Sequence, residues 1–259
     1  MTVATRLSLV GRTAFVTGAG AGLGRAVAAV LASAGATVLC SDRDEAAAAE
    51  TARALGGDAQ SARLDVTNRA EVFDAVGRFA ERAGRLDILC NIAGVASTGD
   101  RIEDMSDAAF DSVFDVNFRG TLFGCQAALP HMIAARSGAI INMASSAIDR
   151  AIPGNASYSV SKAAVVMLSK VLANEVGADG VRVNVVAPGF IPTSLSLGVA
   201  ATDPQSRASS INRWAAESPL GRVGEPDDVA QQFLYLASDA SSFVTGQILR
   251  PNGGVTMPW

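Results

Sequence analysis

The run Thr13-Ala14-Phe15-Val16-Thr17-Gly18-Ala19-Gly20-Ala21-Gly22-Leu23-Gly24 decides the fold of this 259-residue chain. Residues 13–16 predict a buried strand, and residues 22–34 predict an amphipathic helix ended by Gly35. Between them lies a glycine-rich turn. Glycines let backbone amides approach a pyrophosphate closely, and the following helix start favours its negative charge. A glycine-rich turn alone says little. Its position between a strand and a helix is the context that gives it meaning.

Working outward, strand-like and helix-like segments alternate to the end of the chain. Further strands are expected at 37–40, 59–64, 86–90, 139–143, 181–186 and 247–249. Helices are expected at 46–55, 71–83, 107–114, 118–135, around Tyr158, and at 227–237. Apolar strands separated by helices predict a doubly wound parallel α/β sheet of the Rossmann type, covered on both faces. No linker, charge block or repeat divides the chain, so residues 1–259 are expected to form one domain. The stretch 193–219 is the one long irregular region, and such stretches are usually functional lids or mobile segments. Its Leu195, Leu197, Val199, Ile211 and Trp214 suit an apolar lid over a substrate, or packing of that lid or a subunit contact.

Composition narrows the function. Hydrophobic residues make up 49% and charged residues 18%, as in an ordinary buried-sheet protein. A net charge of −4 argues against nucleic acid as a partner. No apolar run is long enough to span a membrane, and the amino terminus lacks a secretory apolar core. Cys40, Cys90 and Cys125 are odd in number and far apart, which suits buried free thiols in a reducing cytoplasm. His131 is the sole histidine, so a triad or multi-histidine metal site has almost nothing to build on. No metal site is expected.

Tyr158 and Lys162 carry the chemistry. Residues four apart share one face of a helix. An ammonium beside a phenol favours the phenolate, so the hydroxyl can trade a proton near neutral pH. Ser145 lies thirteen residues upstream, at the carboxyl end of the strand at 139–143. In an open α/β sheet that end faces the ligand crevice. Asp42 ends the second strand, eighteen residues after Gly24. A carboxylate there can accept both ribose hydroxyls and repel a 2′-phosphate, which favours NAD over NADP. Arg43 is the opposing consideration, because a guanidinium can pair with that phosphate.

Together these motifs resemble the short-chain dehydrogenase/reductase family over essentially the whole chain. Thr17, Gly18, Gly22 and Gly24 meet its T-G-x-x-x-G-x-G pattern, with Leu23 inside it. Asp65 and Val66 look like its adenine-contacting pair. Asn91, Ala93 and Gly94 match N-N-A-G, with Ile92 replacing the second asparagine. Asn117 matches its structural and catalytic asparagine, and Ser145, Tyr158 and Lys162 its catalytic set. Pro188, Gly189, Ile191 and Thr193 lie in a segment like its P-G-x-x-x-T, which holds the nicotinamide carboxamide. Arg250-Pro251-Asn252 departs from the usual V-D before the final glycines.

The resemblance implies hydride transfer between nicotinamide and a secondary alcohol or ketone. Ser145 would steady the oxygen and Tyr158 would move the proton. Lys162 would lower the tyrosine pKa and hold the ribose, and Asn117 would anchor a proton-relay water. It also implies a homotetramer, packed through 118–135, 163–176 and Phe233-Leu234-Tyr235-Leu236. A 3-oxoacyl-carrier reductase is the alternative, with Arg136 suitably placed for an acidic carrier and Asp179 poorly placed. A nucleotide-sensing regulator that lost the chemistry is another, but it should lack Tyr158 or Lys162.

Overall fold

The computed structural model describes residues 2–97, 99–198 and 202–258. A short helix α1 (Val3–Leu7) leads into β1 (Thr13–Thr17), α2 (Gly22–Ser33), β2 (Thr37–Asp42), α3 (Glu45–Leu55), β3 (Gln60–Arg63), α4 (Arg69–Ala83) and β4 (Ile88–Asn91). Helices α5 (Asp107–Phe114) and α6 (Gly120–Ala135) precede β5 (Gly138–Met143), α7 (Ala156–Val176) and β6 (Val181–Val186). The chain continues through α8 (Ser194–Leu197), α9 (Pro204–Glu217), α10 (Pro226–Ala237) and β7 (Ile248–Leu249). The strands form one parallel sheet ordered β3-β2-β1-β4-β5-β6-β7. The order reverses between β1 and β4, which opens a crevice at their carboxyl ends.

Strand parity sorts the core into two layers. Ala14, Val16, Val38, Cys40, Ile88 and Cys90 point to the side covered by α2 and α10. Phe15, Leu39 and Leu89 point to the other side, against α4, α6 and α7. Phe15 is fully buried and meets Phe79 edge-on, with ring centroids 6.0 Å apart. Burial of each such side chain contributes about 1.5–3 kcal/mol. Phe233 and Leu236 of α10 are also fully buried within this one chain. They form its own core and are not available to a subunit contact, contrary to the expectation above.

Two local features differ from the sequence-based expectation. The stretch 193–219 is not irregular: α8 and α9 occupy most of it. Asp203 caps α9 by accepting the Ser206 amide, and Pro204 pre-sets its first turn. Val199 lies outside the described residues. A π-helical turn, Asp115–Arg119, joins α5 to α6. Such turns insert an extra residue and often mark functional positions; here it turns Asn117 fully into the interior. Among the described residues, no helix is long and apolar enough to cross a membrane. The three cysteines are buried and unpaired.

Candidate active site

A cavity of about 850 Å³ runs along the carboxyl edge of the sheet. The glycine loop forms one wall. Gly18 adopts φ 68° and touches the β4 side so closely that a Cβ would lie 2.8 Å from Ala93 Cα. A side chain at Gly24 would collide with the Gly18 carbonyl. Thr17 Oγ1 fixes the opposite wall by accepting the Ile92 and Ala93 amides at 3.0 and 3.1 Å. Helix α2 then starts at Gly22 with Ala21 as an N-cap that makes no side-chain bond and no acidic residue in its first turn. Its amino end faces the cavity with Gly22, Leu23 and Gly24 on the lining. An uncapped helix start of this kind fits a phosphate group.

Asp42, Arg43, Asp65 and Val66 line the same end. Asp42 accepts the Gly20 amide on one oxygen and the Asp44 amide on the other, both at 3.0 Å. The Asp65 carboxylate takes the Thr67 hydroxyl and amide, which hold its pKa below the usual carboxylate range.

Tyr158 and Lys162, one turn apart on α7, meet Ser145 from the end of β5. Lys162 is 3% exposed, donates to the Met143 carbonyl at 3.0 Å, and lies 5.8 Å from the centre of the Tyr158 ring. Burial lowers its pKa from 10.5 to about 8. Burial also pushes the Tyr158 phenol up, partly offset by its hydrogen bond with Ser145. The sequence suggested a tyrosine drawn down by the neighbouring ammonium. Desolvation opposes the charged form of each group, fully for buried Lys162 and less for Tyr158, which is half-buried and lines the cavity.

Asn117 braces this wall from behind. Its Oδ1 accepts the Val95 amide at 2.8 Å, and its Nδ2 donates to the Val95 carbonyl and the Ser161 hydroxyl, each at 3.1 Å. Both amide hydrogens are therefore used. Only the second lone pair of Oδ1 is left on the side chain for a water.

Ala93, Gly94, Pro188, Gly189, Ile191 and Thr193 all reach the cavity. Asn91 does not. It shares strand parity with Leu89, so its side chain points away from the crevice toward α6. There it donates to Asn142 at 2.8 Å, and Asn142 donates on to Ser169 at 2.9 Å. The Asn91 side chain thus belongs to a buried polar chain between sheet and helices and does not line the cavity. Arg136 is likewise misplaced: it caps α6 just before β5 begins, at the amino edge of the sheet, and bonds the Ala178 carbonyl. Asp179 sits at the same edge before β6. Neither flanks the crevice mouth. The unusual Arg250 has a structural partner, Asp149, at 2.7 Å in a partly buried ion pair. It ties the end of β7 to the segment after Ser145.

At the far end of the cavity Leu195 and Trp214, expected in the lid, are joined by Arg150, Ile152, Phe190 and Arg213, which the sequence reading missed. Phe190 and Trp214 stack with centroids 5.1 Å apart and planes 7° from parallel. The Arg150 guanidinium lies 5.1 Å from the Trp214 ring centre and pairs with Glu217. The Arg213 guanidinium lies 5.8 Å from the same ring. Ile152, Leu195, Arg150, Arg213 and Trp214 all line this end. Leu197 is buried beneath it, and Ile211 is half-buried. A tryptophan in a polar helix was the available signal for this wall; nothing in the sequence marked Arg150.

Known proteins place this arrangement in a class. Residues 18–256 match the family described as enoyl-(acyl carrier protein) reductase. The 3-oxoacyl-(acyl-carrier-protein) reductase FabG of Thermotoga maritima is 35% identical over 254 residues, covering 97% of this chain and 100% of that protein. The cis-4-hydroxycyclohexanecarboxylate dehydrogenase of Sinomonas cyclohexanicum is 40% identical over 250 residues, covering 95% and 96%. The structure of a gluconate 5-dehydrogenase from Burkholderia cenocepacia in complex with NADP and tartrate superposes with a TM-score of 0.91 at 34% identity, covering 100% of both chains. The chain belongs to the short-chain dehydrogenase/reductase family. It is an oxidoreductase of the type that acts on CH–OH or keto groups with a nicotinamide cofactor.

Proposed function

We propose that this protein transfers a hydride between NAD and a secondary alcohol or its ketone. The convergence of Ser145, Tyr158 and Lys162 on the cavity that also holds the glycine loop carries this reading. The nicotinamide ring, when bound, accepts or gives the hydride. The remaining work falls to the side chains. Ser145 holds the substrate oxygen, and Tyr158 takes its proton in oxidation or returns it in reduction. Lys162 would hold a ribose hydroxyl, and its ammonium, charged below about pH 8, would stabilise the phenolate. Asn117 fixes the Val95 and Ser161 positions around that lysine and offers one lone pair to a relay water.

NAD is the proposed cofactor because Asp42 presents a carboxylate where the ribose hydroxyls would lie. Arg25, directly after the glycine loop, is turned to Glu50 and the Gly20 carbonyl. Among the described residues, Arg43 is the one cation lining that end. The gluconate dehydrogenase relative binds NADP, so the choice rests on Asp42 of this chain.

The chain works as a single domain, with 193–219 walling the substrate side. It acts in the cytoplasm on a small molecule, without nucleic-acid or membrane partners. It assembles as a homotetramer. Val160, Met167 and Val171 form an exposed apolar stripe on α7, and Phe243 is fully exposed beside the edge strand β7. Exposed apolar stripes of this kind are normally covered.

Reduction of 3-oxoacyl groups on a carrier protein is the second reading, favoured by the name of the Thermotoga relative. The loss of Arg136 from the crevice mouth weakens it. Kinetics on a panel of secondary alcohols and 3-oxoacyl thioesters, each with both cofactors, tests the choice. Turnover confined to the thioesters would reverse the ranking.

A further inference from the structure

Charge around the cavity is divided by the switch point of the sheet. Among the described residues, six charged side chains line it: Asp42, Arg43, Asp65, Arg150, Lys162 and Arg213. Both carboxylates follow β2 and β3, on the cofactor side. The segments after β5 and β6, on the substrate side, contribute Arg150 and Arg213 and no acid to the lining. Glu217 offsets Arg150 through their ion pair, outside the lining. Among the described residues no carboxylate pairs with Arg213. Its guanidinium lies over the Trp214 ring, 5.8 Å from the centroid, and the Phe190 stack and Arg150 hold that ring in place.

We infer that Arg213 is the anion-binding residue of the substrate site, and that the substrate is a hydroxy acid or its oxo acid with a free carboxylate. This rests on the oxidoreductase reading above. A guanidinium matches a carboxylate with two parallel hydrogen bonds, and Arg213 offers its own from the exposed rim of the cavity. Trp214, Phe190 and Ile152 offer an apolar floor for the body between carboxylate and carbinol. The carboxylate passes through the reaction unchanged. The carbinol carbon yields its hydride to nicotinamide and its hydroxyl proton to Tyr158, leaving the oxo acid. A thioester would present no such anion at that position, because its carboxyl carbon is uncharged. Arg150 acts differently: already paired with Glu217, it is a positioning residue that holds Trp214 and α9.

The test uses benzoate and benzamide, which share shape and differ in charge, titrated calorimetrically into the full-length protein with NAD present. Neither has an alcohol to oxidise, so the measurement reads the anion site independently of turnover. Benzoate is expected to bind at least about tenfold more tightly, a difference of about 1.4 kcal/mol. Arg213→Gln should bring the two ligands within about threefold. Arg207→Gln, on the same helix but outside the cavity lining, should keep the discrimination. A thermal melt confirms that each variant is folded. Equal binding in the native protein, or discrimination that survives Arg213→Gln, overturns the inference. Kinetics then separates the two layers of the argument. If neutral secondary alcohols turn over but hydroxy acids do not, the oxidoreductase reading stands and this inference falls. If no alcohol or ketone reacts with either cofactor, the proposed reaction itself is wrong, whatever the titration shows.

Discussion

The Asp42 carboxylate accepts the Gly20 amide at 3.0 Å, so the end of β2 and the glycine loop are one unit. A Cβ at Gly20 would lie 2.8 Å from the same carboxylate oxygen. Asp42 is thereby oriented before any ligand arrives, which reduces the ordering cost of accepting ribose hydroxyls.

This arrangement predicts cofactor choice. kcat/KM for NAD should exceed that for NADP by about tenfold or more, roughly 1.4 kcal/mol. Asp42→Ala should shrink or invert the ratio by leaving Arg43 unopposed beside a 2′-phosphate. Steady-state kinetics with both cofactors on both proteins decides it; a native preference for NADP would remove Asp42 from the role of ribose anchor.

Tyr158→Phe should fold, bind cofactor and keep less than about a tenth of native kcat, since positioned acid/base catalysis is worth roughly 10²–10⁴-fold. In the native enzyme, oxidation should quicken and reduction slow as the pH rises, because one needs the phenolate and the other the phenol. A Phe variant that retained those opposite pH slopes would move the proton transfer elsewhere.

Lys162 predicts a stability effect with a defined sign. Burial holds its folded pKa at about 8, below the ordinary lysine value of 10.5. The folded state therefore binds fewer protons between those values, and the native protein gains stability as the pH climbs from about 8 toward 10.5. Below pH 8 the buried ammonium carries its full cost. Lys162→Met should accordingly stabilise the cofactor-free protein at pH 7, by roughly 3 kcal/mol at most, and the advantage should shrink above pH 8. Urea unfolding of both proteins at pH 7 and pH 10 measures the gap; a gap independent of pH would mean that the lysine is not buried in its charged form.

Met167→Glu should break the assembly. Met167 is 60% exposed in the single chain and flanked along α7 by Val160 and Val171. A carboxylate buried in a subunit contact without a partner is strongly unfavourable. Light scattering should give four chains for the native protein and fewer for the variant. A native monomer at micromolar concentration would refute the tetramer.

Much of this molecule was legible before its structure. The strand–glycine–helix unit at 13–24 and the alternation that follows leave little freedom, because parallel strands must bury both faces and helices must cover them. Other features were hidden for identifiable reasons. Helix α9 fully buries no residue, so it has no clear apolar stripe; only Asp203-Pro204 signalled its start. Asn91 was assigned by its motif, whereas strand parity with Leu89 turns it away from the crevice. Arg136 precedes β5, whereas ligands meet the carboxyl ends of strands, so a position suited to an acidic carrier in the sequence falls at the opposite edge of the sheet. The burial of Lys162 beside the half-buried Tyr158 depends on packing from several elements, and no four-residue spacing reveals it.

The stacked pair Phe190–Trp214 has an optical consequence. Phe190 stacks on Trp214 in the substrate wall and directly follows Pro188-Gly189, the segment proposed to meet the nicotinamide, so this ring contact lies where the two halves of the cavity meet. Trp214 is one of only two tryptophans in the chain. With Trp259→Phe, the emission of a single indole would report on both halves at once. Ligand arrival could then be timed by stopped-flow fluorescence without a dye, a coupled assay or a chromophoric product.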